Sequence, residues 1–253
     1  RPQIISENKI IKKEGIDIVV ALDLSQSMLQ RDFKPNRLET AKKLLEEFID
    51  KRINDRISLV VFGGDAYTKV PLTFDHNVVK DITSKLTTDD ITSNNRTAIG
   101  MGLGVSLNRL KDSEAKSKVI ILMTDGENNF GEMSPMGASE IAKELGIKIY
   151  TIGIGAREIQ IRVPFGHTTV KNTELDENLL KNIASTTGGE YFRAGSEKEF
   201  QEIFNRIDSL EKTKIDGRSY YEKDELYENI LKIALLLLVI GAFFEYKKYI
   251  KIP

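Results

Sequence analysis

Three short stretches of this sequence gather oxygen-bearing side chains. Asp23-Leu24-Ser25-Gln26-Ser27 puts a carboxylate and two hydroxyls on alternate residues. Thr124-Asp125-Gly126 adds a second carboxylate. Thr97, in Arg96-Thr97-Ala98-Ile99-Gly100, adds a further hydroxyl. These are hard oxygen donors. They suit Mg²⁺, which asks for an octahedral shell at about 2.0–2.1 Å and keeps several waters. Mn²⁺ and Ca²⁺ take the same donor types. A zinc site is disfavoured, because the chain has no cysteine and its two histidines, His76 and His167, lie far apart in sequence. Asp, Ser and Thr also cap helices, and any one of the five taken alone reads equally well as a cap. Taken together, Asp23, Ser25, Ser27, Thr97 and Asp125 read as one metal site.

Such a site needs elements that bring three distant stretches together. Asp23 closes the β-branched run 16–23 (IDIVVALD), and Asp125 follows the run 118–124 (KVIILMT). Two more apolar runs occupy 57–62 (ISLVVF) and 147–154 (IKIYTIGI). Helical spacing appears between them, over 37–49 (Leu38, Ala41, Leu44, Leu45, Phe48), 75–86, 98–110 and 135–145, then over 178–185 and 196–210. Residues 67–70 and 190–193 read as short strands. Short apolar runs separated by helices predict a doubly wound α/β fold, with a mostly parallel sheet and helices on both faces. Ligands of such sheets bind at the carboxyl ends of the strands, where Asp23 and Asp125 fall.

Asp23-x-Ser25-x-Ser27, then Thr97, then Asp125 resembles the metal-ion-dependent adhesion site of von Willebrand factor A domains. The resemblance implies that Ser25, Ser27 and Thr97 contact the metal and that Asp23 and Asp125 act partly through bound water. It implies one coordination position left for a partner protein's Asp or Glu carboxylate. Further stretches, 16–28, Asn36-Arg37-Leu38-Glu39, Asp55-Arg56-Ile57, 97–104, 115–129 and Gly188-Gly189-Glu190-Tyr191-Phe192, resemble BatA-type aerotolerance membrane proteins of bacteria. That resemblance implies other Bat-type membrane proteins as partners, and a functional link to a MoxR-type AAA+ ATPase. Two positions depart from the pattern. Gln26 stands where glycine is common, and Asn95-Arg96 stands where an acid and a glycine are common. Arg96 either weakens cation binding by repulsion or helps to hold a partner's carboxylate.

The formal net charge is −1, without the basic bias of a nucleic-acid binder. Residues 227–246 are about 20 in number and mostly apolar, the usual length of a transmembrane helix. Tyr220, Tyr221 and Tyr227 flank one end and Tyr246 and Tyr249 the other. Glu222, Asp224, Glu225 and Glu228 precede the segment, and Lys247, Lys248 and Lys251 follow it. The positive-inside rule then expects a cytoplasmic tail and an extracytoplasmic A domain at the bacterial inner membrane. A cytoplasmic ATPase could not touch a domain so placed. The expected division is a lead-in at 1–14, an A domain at 15–212, a juxtamembrane linker at 213–226, a transmembrane helix at 227–246 and a tail at 247–253. The resemblance implies further transmembrane helices ahead of Arg1.

The chain has no G-x-S-x-G elbow, and no histidine lies near the motif to act as a base. The reading is therefore a binding module, not an enzyme; a scaffold with an inactive metal site is the alternative, ahead of a metal-dependent hydrolase. Gly100-x-Gly102-x-Gly104 falls inside a helical pattern and reads as close helix–sheet packing, not as a phosphate loop. Arg37 and Glu39 either pair or are solvated, and His76 reads as a surface residue. Asn128 and Asn129 either tune the site or turn the chain.

Overall fold

The computed structural model describes residues 3–11, 15–156, 158–163, 166–171, 175–212, 219–225 and 227–249. The strands in chain order are β1 (Gln3–Ile11), β2 (Asp17–Asp23), β3 (Arg56–Phe62), β4 (Ala66–Thr73), β5 (Lys118–Thr124), β6 (Lys148–Ile154), β7 (Glu158–Val163), β8 (Gly166–Lys171), β9 (Tyr191–Ala194) and β10 (Ser219–Glu225). The α-helices are α1 (Arg37–Asp50), α2 (His76–Ser84), α3 (Ile99–Leu110), α4 (Pro135–Glu144), α5 (Glu177–Thr187), α6 (Glu197–Lys212) and α7 (Tyr227–Tyr249). Residues Glu14–Ile215 form one compact unit, and Arg1–Lys13 with Asp216–Pro253 form another.

The larger unit is built on a six-stranded sheet in the order β4-β3-β2-β5-β6-β9. All are parallel except β4, which runs antiparallel to β3 at the edge. The β2, β3, β5 and β6 runs are buried almost throughout. That is why they read as unbroken apolar segments, where a half-exposed strand would alternate. Alternate residues of β2 serve opposite faces. Ile18, Val20 and Leu22 join the core under α1, α2 and α6. Val19 and Ala21 join the core under α3, α4 and α5. The doubly wound expectation is met.

Strand order reverses between β2 and β5, since β3 lies on one side of β2 and β6 beyond β5. This switch point opens a crevice at the carboxyl ends of the two central strands. Close approach there requires glycine. A Cβ on Gly100 would lie 1.9 Å from the Met133 carbonyl oxygen, and one on Gly102 would lie 2.8 Å from the Phe62 ring. The glycines of α3 therefore serve packing against β3 and the loop before α4.

The first strand of this unit starts, and its last helix ends, toward the end of the sheet away from the crevice. Asp17 opens β2 there. Helix α6 also runs toward that end, because it lies parallel to α1 in constant register. Lys43 bonds Glu197, Gln201 bonds Glu47 and Lys51 bonds Asn205. Phe48 stacks on Phe204 between the same two helices, with ring centroids 4.4 Å apart.

Two hairpin-like pairings were not expected from the sequence. β7 and β8 pair antiparallel just after β6. In the smaller unit β1 pairs antiparallel with β10, so strands lie within the segments read as lead-in and linker. Helix α7 covers the segment expected to cross a membrane. Among the described residues, however, no helix is long and apolar enough to cross one. The expected transmembrane helix is thus met as a helix and not as a span.

Candidate metal centre

Asp23 ends β2 with its side chain fully buried, and Asp125 follows β5 equally buried. Both sit where neighbouring parallel strands release the chain at the switch point. The Ser25 amide donates to Asp23 Oδ1 at 2.8 Å, and Thr124 Oγ1 donates to Asp23 Oδ2 at 2.5 Å. Ser27 Oγ donates to Asp125 Oδ1 at 2.7 Å and lies 3.0 Å from Ser25 Oγ. A short 3₁₀ turn, Gln26–Leu29, carries Ser27 back toward β5.

Thr97 arrives from the loop ahead of α3. Asn129 holds it there: its Oδ1 accepts from the Thr97 amide at 2.8 Å, and its own amide donates to the Thr97 carbonyl at 3.0 Å. Ser27, Thr97 and Asp125 line an open pocket of about 420 Å³ with Gln30, Gly126, Glu127 and Asn129. Asp23 and Ser25 join it through the hydrogen bonds above. All five residues picked out in the sequence therefore meet at one place. Of the two asparagines left open, Asn129 is the one that fixes a site residue.

Asp23 has a pKa pushed up to about 7, by burial first and by the negative charge of Asp125 second; its three hydrogen bonds to Ser25 and Thr124 pull the other way. Two carboxylates in a dry crevice favour either a proton or a cation between them. The donor set, two carboxylates and three hydroxyls, is oxygen only and fits a small hard cation. Among the described residues no group of three or more histidine or acidic side chains is placed to hold a metal. The hydroxyls would have to complete the shell.

Arg37 was missed as a site residue. It is the first residue of α1 and 0% exposed. Its Nη1 donates to Asp125 Oδ2 at 2.8 Å. Its Nε and Nη2 grip the two carboxylate oxygens of Asp32 at 2.9 and 2.8 Å. Burial works against the guanidinium charge, but the bonds to Asp32 and Asp125 outweigh it and hold the pKa above its ordinary value. Asp32 is held below the usual carboxylate range: its burial opposes this, and the bonds from Arg37 and the Ala156 amide prevail. The Ala156 amide donates to Asp32 Oδ2 at 2.9 Å, just before β7. Arg37 therefore pairs with neither Glu39 nor water. Glu39 bonds Lys42 instead, and its amide is capped by Asn36.

The two departures from the adhesion-site pattern are also placed. Gln26 bonds Asn94 through side chain and backbone, at 3.1 and 2.6 Å. Arg96 lays its guanidinium over the Phe130 ring, 4.3 Å from the centroid. His76 is half-buried, with Nε2 2.8 Å from the Asp55 carbonyl oxygen.

The family model of the von Willebrand factor type A domain matches residues 17–206. The chain belongs to that family. An uncharacterised protein of Borreliella burgdorferi is 33% identical over 251 residues, covering 96% of this chain and 73% of the relative. A UPF0353 protein of Mycolicibacterium gilvum is 27% identical over 208 residues, and the chain spans only 58% of its length. Among solved structures, BatB from Bacteroides thetaiotaomicron superposes with a TM-score of 0.66 at 31% identity, covering 78% of this chain and 100% of that one. An aerotolerance-related membrane protein from Bacteroides fragilis gives 0.65 at 29% identity, covering 77% and 100%. These neighbours agree with the BatA-type resemblance. Proximal thread matrix protein 1 of the mussel byssus, solved with a zinc-occupied adhesion-site motif, shares the fold at TM-score 0.62 and 23% identity, over 83% of this chain and 48% of that one. In this von Willebrand A domain, then, the crevice at the β2–β5 switch point is where the sheet, the two buried acids and the three hydroxyls converge.

Proposed function

We propose that this von Willebrand A domain binds a divalent cation, Mg²⁺ first, through Asp23, Ser25, Ser27, Thr97 and Asp125, and that a partner protein's carboxylate completes the cation's shell. The observation that carries this reading is the pair of fully buried acids beside an open pocket lined by hydroxyls. A cation would relieve the repulsion that raises the Asp23 pKa. It would supply a fixed positive centre facing the pocket, to which an acidic side chain can bind without chemistry. Calorimetric titration of Mg²⁺ and Mn²⁺ into the full chain in detergent is the test, beside an Asp23→Ala, Ser25→Ala double variant. Binding heat from the native chain and none from the variant is expected. Equal heats from both would reject the assignment.

One observation favours a second reading. Arg37 already sets a cation on Asp125, and a scaffold that never loads metal could rest on that pair alone. Such a protein would bind its partners equally well in excess chelator.

We further infer membrane attachment through α7. Leu231, Leu235, Leu236, Leu237, Leu238, Val239, Phe243 and Phe244 are all well exposed on it, and an apolar helix without a polar face is one that lipid covers. In that setting the domain would stand outside the bacterial inner membrane, within a Bat-type assembly functionally linked to a MoxR-type ATPase. Cysteine-labelling with an impermeant dye checks the orientation. A reporter cysteine at Ser84 should react in intact spheroplasts, and labelling only after lysis would place the domain inside.

A further inference from the structure

Next to two residues that line the pocket, and outside its lining, lies a feature that the adhesion-site reading leaves unused. Thr97 and Asn129 line the pocket, and their backbones are laced together: the Thr97 carbonyl accepts both the Asn129 and the Phe130 amides, at 3.0 and 3.2 Å. The residue before Thr97 is Arg96, and the residue after Asn129 is Phe130. The lacing sets their side chains against each other, guanidinium over ring at 4.3 Å. The Arg96 amide is tied to the Ser93 carbonyl at 3.2 Å, which fixes the loop from the other side.

The pair is open to solvent. Arg96 is exposed, and Phe130 is 41% exposed. Among the described residues Arg96 has no carboxylate partner. That contrasts with Arg37, whose fork is filled by Asp32 and Asp125. Stacking on an aromatic face occupies the plane of a guanidinium and leaves its edge N–H donors available for a carboxylate. It also holds the side chain still, so less rotamer freedom is lost when a ligand arrives. Two acids line the pocket itself: Asp125, whose charge a bound cation would offset, and Glu127, which repels any acid laid against it.

We propose that Arg96 on Phe130 is a second carboxylate subsite beside the metal position, so that the preferred partner segment carries two acidic residues close together: one for the cation, one for Arg96. This rests on the metal-bridged reading above and adds a sequence requirement to it. It also decides between the two effects open for Arg96 from the sequence, in favour of ligand capture. Repulsion of the metal is tempered because the guanidinium is anchored over Phe130 and fully solvated on its edge.

The test uses the full chain in detergent at saturating Mg²⁺. The probes are two blocked pentapeptides, Gly-Asp-Gly-Asp-Gly and Gly-Asp-Gly-Asn-Gly, with Kd read by NMR titration. The two-acid peptide is expected to bind about five- to tenfold more tightly than the one-acid peptide, as fits one charge-assisted contact at a solvated site. Arg96→Gln should erase that preference while leaving the one-acid Kd and the Mg²⁺ binding heat unchanged. Phe130→Leu should reduce the preference without abolishing it, since the charge stays and its platform is lost. Equal Kd values for the two peptides on the native chain overturn the proposal and leave the metal-bridged reading standing. A preference that survives Arg96→Gln overturns it too. Loss of Mg²⁺ binding in the native chain, or no binding of either peptide, would fell both together.

Discussion

Replacing Arg37 by methionine should cost the domain about 3–5 kcal/mol of unfolding free energy, the usual penalty for removing one partner of a buried ion pair. The side chain is 0% exposed, and Asp125 is as well. Methionine fills a similar volume, so the loss would report the stranded charges and not a cavity. Two carboxylates lose their partner at once, Asp125 at its Oδ2 and Asp32 at both oxygens. With folded proteins stable by only about 5–15 kcal/mol, the shift should be plain in urea denaturation followed by circular dichroism. Arg37→Lys keeps the charge but cannot bridge two carboxylates with a planar fork, and should fall between the native chain and Arg37→Met. A loss below 1 kcal/mol for Arg37→Met would mean that Asp125 does not depend on this cation.

The second large effect is a dependence on pH. In the metal-free domain Asp23 has a pKa of about 7, raised by burial and by Asp125 from the ordinary aspartate value of 3.8. A carboxyl raised in the folded state binds its proton more tightly there than in the unfolded chain. Its contribution to stability is complete below pH 4 and is lost as pH rises through 7. Between pH 5.5 and 8 the loss is about 2 kcal/mol from this group alone. Asp23→Asn cannot titrate, and its stability should stay flatter over that window. Metal must displace the same proton. Mg²⁺ affinity should therefore rise about tenfold from pH 6 to pH 8, with proton release visible when calorimetry is repeated in buffers of different ionisation enthalpy. An affinity independent of pH would place the cation out of reach of Asp23.

The parts of this structure that were legible in the sequence are those whose environment is uniform along the element. A central parallel strand is covered on both faces, so β2 and β5 appear as unbroken apolar runs, and Asp23 and Asp125 could be placed at their ends. α1 showed its spacing because one stripe meets the sheet. The rest depends on contacts between residues far apart. Arg37 opens a helix after a capping asparagine, where a solvated charge is ordinary. Only the arrival of Asp125, 88 positions away, makes it a buried one. Asp32 lies in an Arg-Asp-Phe-Lys-Pro turn whose composition speaks of solvent. β1 and β10 come from opposite ends of the chain, and neither half carries a local sign of the other. The β7–β8 hairpin lies outside the main sheet and lacks the continuous apolar run that marked the central strands.

The opposition between the pocket and the chain connections has a mechanical consequence. Asp23, Ser25 and Ser27 are joined covalently to the top of β2, and the chain enters the domain at its foot. A pull between the crevice and the chain just ahead of Asp17 would put tension straight down that one strand. β2 is bonded along its length to parallel β3 on one side and parallel β5 on the other. Such a load shears two ladders, with many bonds strained together, where a load across the sheet would unzip them singly. Under such a pull the central strand that positions the acids would also be the load path.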